Sequence, residues 1–324
     1  MPELTYREAL KTTLIEEMDR DPRVVLMGED IGVYGGTFLI TEGLLARFGS
    51  KRVVDTPIAE AGFIGAGIGM AMLGLHPVIE VMTWNFSLVA ADQIIQNAAK
   101  VRYFSGGQVS VPMVIRGPNG TGVQLSAQHS QALEALYGHF PGLLVVAPAT
   151  PADARGLLRS AVRGSDPVIF LENASLYGMR GEVPEGDYVV PFGRAALARE
   201  GRDVTVVAHG RMRSPALAAA AQLASDGIEC EVLDLRSLRP LDMDTVAGSV
   251  RRTHRAVVVE EQQAPFGVTA EVAAGIQERC FDSLDAPVAR VSGEDVPMPY
   301  ARNLERLAQP NEAKIARAVR RTVG

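Results

Sequence analysis

Short runs of β-branched and aliphatic residues alternate with longer segments of helical periodicity along the first half of this chain, and few architectures accommodate that rhythm. Residues 24–27, 52–55, 77–81, 112–115, 143–147 and 168–171 are too short for helices and are bounded by turn residues, so they read as buried strands. Residues 41–48, 59–73, 87–104, 131–139 and 152–163 separate them and read as helices. Such alternation predicts an α/β fold, a mainly parallel sheet covered by helices on both faces. An opening helix is also expected. Thr5-Tyr6-Arg7-Glu8 has the capping-box pattern, Ala9, Leu10, Leu14, Ile15 and Met18 follow at helical spacing, and Asp21-Pro22 ends the run.

The rhythm breaks in residues 181–193, where Gly, Pro, Glu and Asp crowd together, and then restarts. Strands are expected at 204–208, 230–233, 256–260 and 288–291, with helices at 216–224, 242–252, 267–279 and 311–321. A length of 324 residues suits two domains, placed at 1–186 and 187–324, the second being the smaller.

With 47% hydrophobic and 22% charged residues the chain has ordinary globular content. A net charge of −6 supplies no broad positive surface for nucleic acid or anionic lipid. Cys230 and Cys280 form no short motif, which argues against a disulfide framework or zinc site and for a reducing compartment. Glu3, Arg7 and Glu8 interrupt the N-terminus where a signal peptide needs an apolar core, and no later stretch has the length of a membrane span. These features predict a cytoplasmic protein without nucleic-acid or membrane partners.

Several familiar motifs fail. Gly65-Ala66-Gly67-Ile68-Gly69 lacks the spacing of the dinucleotide fingerprint. Gly62, Gly65, Ala66 and Gly69 share a helix face instead, which suits close helix packing or a tight subunit interface. Gly49-Ser50-Lys51 is not a P-loop, no G-x-S-x-G elbow occurs, and the five histidines are too scattered for metal-ligand pairs.

Four loops stand at the ends of the expected strands, where an open parallel sheet collects its ligand: Gly28-Glu29-Asp30, residues 55–62, Thr83-Trp84-Asn85-Phe86, and residues 116–120. Glu60 lies among Ile58, Ala59, Ala61, Phe63 and Ile64, so a carboxylate buried there needs a specific partner and would hold a raised pKa. The same stretch is also a good helix start, which favours any acid in its first turn; these residues leave both readings open. His129 follows a glycine-containing loop and could enter a cleft, although a lone loop histidine is more often a surface or capping residue. Trp84 and Phe86 are equally compatible with a core role.

At these positions the chain resembles the β subunits of the E1 component of 2-oxo acid dehydrogenase complexes, most of all the pyruvate type. The likeness covers nearly the whole chain. It rests on Gly28-Glu29-Asp30, residues 55–60, Asn85-Phe86-Ser87, Ser105-Gly106-Gly107, Arg116-Gly117-Pro118-Asn119-Gly120, Ala127-Gln128-His129-Ser130-Gln131, residues 166–173 and residues 295–300. The resemblance implies a transketolase-like pyrimidine-binding domain followed by a smaller α/β transketolase C-terminal domain, in an α2β2 heterotetramer with an E1 α subunit. It implies thiamine diphosphate as cofactor, with Mg2+ held mainly by the α subunit through a Gly-Asp-Gly motif absent from this sequence.

By that resemblance Glu60 hydrogen-bonds N1′ of the aminopyrimidine and favours the imino tautomer whose N4′ removes the thiazolium C2 proton. Phe86 packs on the aminopyrimidine, with Ile58 and Met82 lining its pocket. His129 matches an active-site histidine serving proton transfer or positioning when the acyl unit passes to a lipoyl group of the E2 dihydrolipoyl acyltransferase. The second domain would contribute to assembly and to docking on E2. A structural K+ on the backbone carbonyls of Met113, Ala161, Val162, Gly164 and Asp166 is implied too, although Arg163-Gly164-Ser165-Asp166 departs from the usual sequence there. The expected activity is oxidative decarboxylation of pyruvate with reductive acetylation of E2, carried out only with the α subunit. Competing readings are β chains acting on branched-chain 2-oxo acids or acetoin, and, from another class, a noncatalytic nucleotide-binding or scaffold module.

Overall fold

The computed structural model describes residues 1–324 and divides them into two compact units, residues 1–119 with 136–192, and residues 120–135 with 193–324. The second unit's long segment begins at residue 193, close to the expected cut at 186/187, and residues 120–135 are grouped with it.

Through the first half run β1 (Glu3–Thr5), α1 (Tyr6–Arg20), β2 (Val24–Gly28), α2 (Leu44–Phe48), β3 (Val53–Asp55), α3 (Glu60–Met72) and β4 (His76–Glu80). After these come α4 (Val101–Phe104), β5 (Val114–Pro118), α5 (Glu134–Gly138), β6 (Leu144–Val146), α6 (Pro151–Val162), β7 (Val168–Glu172) and β8 (Arg180–Glu182). In the first unit, six parallel strands lie in the order β6-β7-β5-β4-β2-β3. Strands β2, β5 and β7 are buried at every position, which explains their unbroken apolar character. On one side, Tyr6, Leu10, Leu14 and Met18 of α1 join Leu157 and Leu158 of α6 in a core with Leu26, Val114 and Phe170. The Thr5 hydroxyl accepts from Glu8 N–H while Glu8 accepts from Thr5 N–H, so the expected capping box forms.

The helix expected over 87–104 is instead three pieces: a 3-10 segment (Trp84–Ala90), a π segment (Gln93–Ala98) and α4. Ser87 Oγ lies 2.5 Å from both the Trp84 carbonyl and the Tyr137 hydroxyl, a side-chain bond that competes with the regular ladder at its start.

The second unit continues with β9 (Ala196–Arg199), β10 (Val204–Ala208), α7 (Arg213–Ala224), β11 (Cys230–Asp234), β12 (Ser237–Arg239), α8 (Met243–Thr253) and β13 (Ala256–Gln263). It ends with α9 (Val268–Cys280), β14 (Ala289–Gly293), α10 (Arg302–Ala308) and α11 (Glu312–Val323). Its sheet order is β14-β13-β10-β11-β9, parallel except for β9. Val206, Val232, Val257, Ala216, Ala220, Ile315 and Val319 fill one core of this unit. Both cysteines are free and buried. No helix is long and apolar enough to cross a membrane.

Candidate functional site

In the first unit the carboxyl ends of β2, β3 and β4 are forced close together. A Cβ on Gly28 would meet the Glu80 carbonyl oxygen at 2.5 Å, so only glycine fits between β2 and β4. The chain then turns out at Glu29, at Thr56 and at Met82, setting their loops along one edge of the sheet. Beneath this edge Arg116, 1% exposed, pairs with Glu80 and with both oxygens of Glu172, and the Tyr177 hydroxyl donates to Glu172 at 2.8 Å. Burial raises the Glu80 carboxyl despite the opposing pull of Arg116.

Glu60 opens α3 and is 5% exposed, yet no donor of this chain reaches its carboxylate. The expected helix-start signal gives way to another arrangement. Asp55 caps nothing in α3; its carboxylate accepts from Gly32 N–H at 2.5 Å and Val33 N–H at 3.1 Å, while Ala59 occupies the cap without a side-chain bond. Glu60 faces a second acid, Glu29, whose carboxyl is pushed up to about 7 by burial first and by the charges of Glu60 and Asp30 next. Glu29 Oε1 and the hydroxyls of Thr56 and Thr83 are buried without a partner. Unsatisfied polar groups at the carboxyl ends of three adjacent strands mark this edge as a place for a polar ligand. Among the named loops, Glu29 is the site feature that sequence reasoning did not single out.

The two aromatic candidates separate. Trp84 is fully buried, packed at 5.1 Å against the Tyr137 ring, and is a core residue. Phe86 and Met82 are only half-buried, and Ile58 is 80% exposed, so all three offer apolar surface at the edge that carries Glu60. The small-residue face of α3 is mostly open: Gly62 and Ala66 are exposed and a Cβ on Gly69 would meet nothing. Gly65 abuts the Gln93 side chain and a Cβ on Gly62 would touch only Ala59 at 3.8 Å, while the close approach to the sheet is made by Gly67, whose added Cβ would lie 2.8 Å from Ile79.

His129 lies in the second unit, half-buried, at the end of a 3-10 turn (Ala127–His129) whose preceding residue, Ser126, has φ +65° and ψ −169°. His129 N–H donates to the Ser126 carbonyl at 3.3 Å.

Three of the five carbonyls expected to hold K+ take hydrogen bonds within the first unit. Met113 O accepts from Val168 N–H at 2.9 Å, Ala161 O from Gly164 N–H at 3.3 Å, and Val162 O meets His76 Nδ1 at 3.1 Å. The Asp166 carboxylate pairs with Arg102 at 2.5 Å.

Two family models match the chain in succession. The family described as transketolase, pyrimidine binding domain, matches residues 2–180, and that described as transketolase, C-terminal domain, matches residues 193–315. The chain is 52% identical over 323 residues to the mitochondrial pyruvate dehydrogenase E1 component subunit beta-1 of Arabidopsis thaliana, covering 98% of this chain and 89% of that one. It is 50% identical over 321 residues to the pyruvate dehydrogenase E1 component subunit beta of Rhizobium meliloti (strain 1021), covering 99% and 70%. A solved split-gene transketolase, described as an inactive beta4 tetramer, superposes with a TM-score of 0.79 at 27% identity, covering 99% of this chain and 98% of that one. A transketolase from Pichia stipitis, 14% identical, shares the fold alone, with a TM-score of 0.72 over 100% of this chain and 47% of that one. On a half-identical sequence matched nearly end to end, and on both domain families in order, the chain belongs to the pyruvate dehydrogenase E1 β-subunit family.

Proposed function

We propose that this chain is the β half of a thiamine-diphosphate-dependent pyruvate dehydrogenase E1, active with an E1 α subunit and delivering acetyl groups to the lipoyl groups of E2. The reading is carried by one observation: Glu60 is a buried carboxyl at the sheet's carboxyl edge that no group of its own chain satisfies. A ligand donor or acceptor is what such a group lacks. An aminopyrimidine ring fits, because its N1′ can share a hydrogen with a carboxyl while its faces need apolar cover.

Glu60 would hold that hydrogen at N1′, and Phe86, Met82 and Ile58 would supply the cover. When bound, the cofactor supplies the electron sink for decarboxylating a 2-oxo acid. The chain's own contribution is orientation and proton control. Glu29, the other acid of this edge, would keep the local charge low by remaining partly protonated near neutral pH. His129 would move or hold a proton during reductive acylation of the lipoyl group. The α subunit would hold the diphosphate and Mg2+ in the α2β2 assembly, and the second unit would contribute to E2 docking. With both thiols free and buried, the cytoplasm is the proposed compartment.

Two measurements test this reading. The reconstituted α/β pair should turn over pyruvate in preference to 2-oxoisovalerate and acetoin; a preference for either of the others reassigns the substrate. Glu60→Gln should still assemble and bind thiamine diphosphate while its decarboxylation rate falls by about two to four orders of magnitude. Full activity in that variant removes Glu60 from the mechanism, and failure of the parent chain, mixed with the α subunit, to bind the cofactor at all supports the scaffold reading.

A further inference from the structure

Residues 120–135, which carry His129, are tied down by buried side chains of their own unit. At the start, Thr121 donates to Glu261 Oε1 from both its N–H and its hydroxyl, and Arg211 Nε reaches the same oxygen at 2.9 Å. One turn on, Gly122 N–H and Gln124 N–H both donate to Glu305 Oε1, at 3.1 and 3.2 Å. At the far end Ala135 N–H donates to Gln262 Oε1 at 3.2 Å.

Glu305 is the telling member. It is 3% exposed, forms no ion pair, and its carboxylate is bonded only to two main-chain amides of one loop. A buried carboxylate without a countercharge is costly to keep, so its use here points to what it holds. Between the ties, Gln124 and Ser126 take φ of +57° and +65°, conformations that non-glycine residues keep only where their surroundings impose them. His129 follows Ser126 directly in the next turn and closes back on its carbonyl. The backbone that carries the imidazole is therefore a strained one that Glu305 and Glu261 hold in place.

We infer that Glu305, with Glu261, is a positioning residue that fixes the His129 loop and so acts on acyl transfer to the lipoyl group. The inference rests on the role proposed above for His129. In the reconstituted α/β assembly, Glu305→Ala should speed hydrogen exchange of the Gly122 and Gln124 amides about tenfold or more, the loss expected for bonds to a charged acceptor. Its kcat for acylating a lipoyl domain should fall about tenfold, with little change in the KM for that domain, because the loss is of orientation. Decarboxylation measured with an artificial electron acceptor should stay within about twofold. Glu305→Gln keeps an acceptor oxygen but loses the charge, so its acylation rate should fall only about threefold, with a similar rise in exchange.

Undiminished acylation despite faster loop exchange overturns the inference, as does unchanged exchange. Equal loss of both half-reactions with a lowered Tm reduces Glu305 to a structural residue and also overturns it. Should Glu305→Ala fail to assemble, Glu305→Gln decides: a rise of about threefold in exchange with a matching fall in acylation supports the inference, and no change in either sinks it. A His129→Ala control separates the two layers. If that variant acylates normally, the role of His129 fails, while the exchange data still report whether Glu305 holds the loop.

Discussion

Glu29 and Glu60 show how much of a site is set by what surrounds a side chain. Burial and the neighbouring Glu60 charge push Glu29 from its usual 4.5 up to about 7, so the folded chain holds a proton there that the unfolded chain has released. For an acid raised in this way, stability is greatest below the unfolded value, falls as pH rises from about 4.5, and levels off above about 7. Glu29→Gln should remove that slope and make the chain more stable than its parent at pH 8 by about 1 to 3 kcal/mol, with little difference at pH 4.5. Denaturant midpoints of both chains across this range test it; parallel curves rule out the buried-acid account. The sequence made Glu60 conspicuous, because a lone acid among Ile58, Ala59 and Ala61 is unusual. Glu29 was less visible, since its neighbour lies on another strand's loop and only the parallel sheet order brings the two together. Tertiary proximity of this sort has no local signature.

Elements were legible where one physical signal dominated. In α1 a capping box, an apolar stripe and a closing Asp21 all agree, and strands β2, β5 and β7 announce themselves because both faces are covered. The failures are places where side chains compete with the backbone or where a segment is too short to carry a period. Ser87 bonds to the Trp84 carbonyl within the 3-10 segment that opens the interrupted helix, and α10, seven residues long, gave no helical signal in the sequence. Its Glu305 meets Gly122 across 183 positions of sequence, a separation that no local pattern encodes. At the element scale the sharpest constraint is the approach of β2 to β4 at Gly28. Gly28→Ala would drive a Cβ against the backbone carbonyl of Glu80, which cannot swing aside as a side chain would. The expected cost is about 2 to 4 kcal/mol, read as a lowered Tm, with loss of cofactor binding because Glu29 moves with the strand end. A Tm within a degree of the parent means that the two strands separate easily, and removes this constraint from the account of the site.

At the scale of the whole chain, the candidate residues divide between the units: Glu60, Phe86, Met82 and Ile58 in the first, His129 and its clasp in the second. The first unit leaves large apolar side chains bare beside its polar edge. Ile58 is 80% exposed, and Val33 and Tyr34, in the loop pinned by Asp55, are 82% and 75% exposed. Water-facing apolar groups adjoining unsatisfied buried acids are the features of a half-site, because covering them favours association while the acids await groups their own chain does not supply. The isolated chain should therefore show no turnover of pyruvate, and titration with the α subunit should restore activity that saturates at one α chain per β chain. Tyr34→Asp puts a charge on the surface to be covered and should raise the α concentration needed for half-saturation by about tenfold or more, with kcat recovered once α is in excess. Sedimentation of the mixed chains provides an independent reading of the same affinity. Full turnover by the chain alone, or a saturation curve that Tyr34→Asp leaves in place, contradicts the half-site and means that the bare apolar loop serves some other purpose.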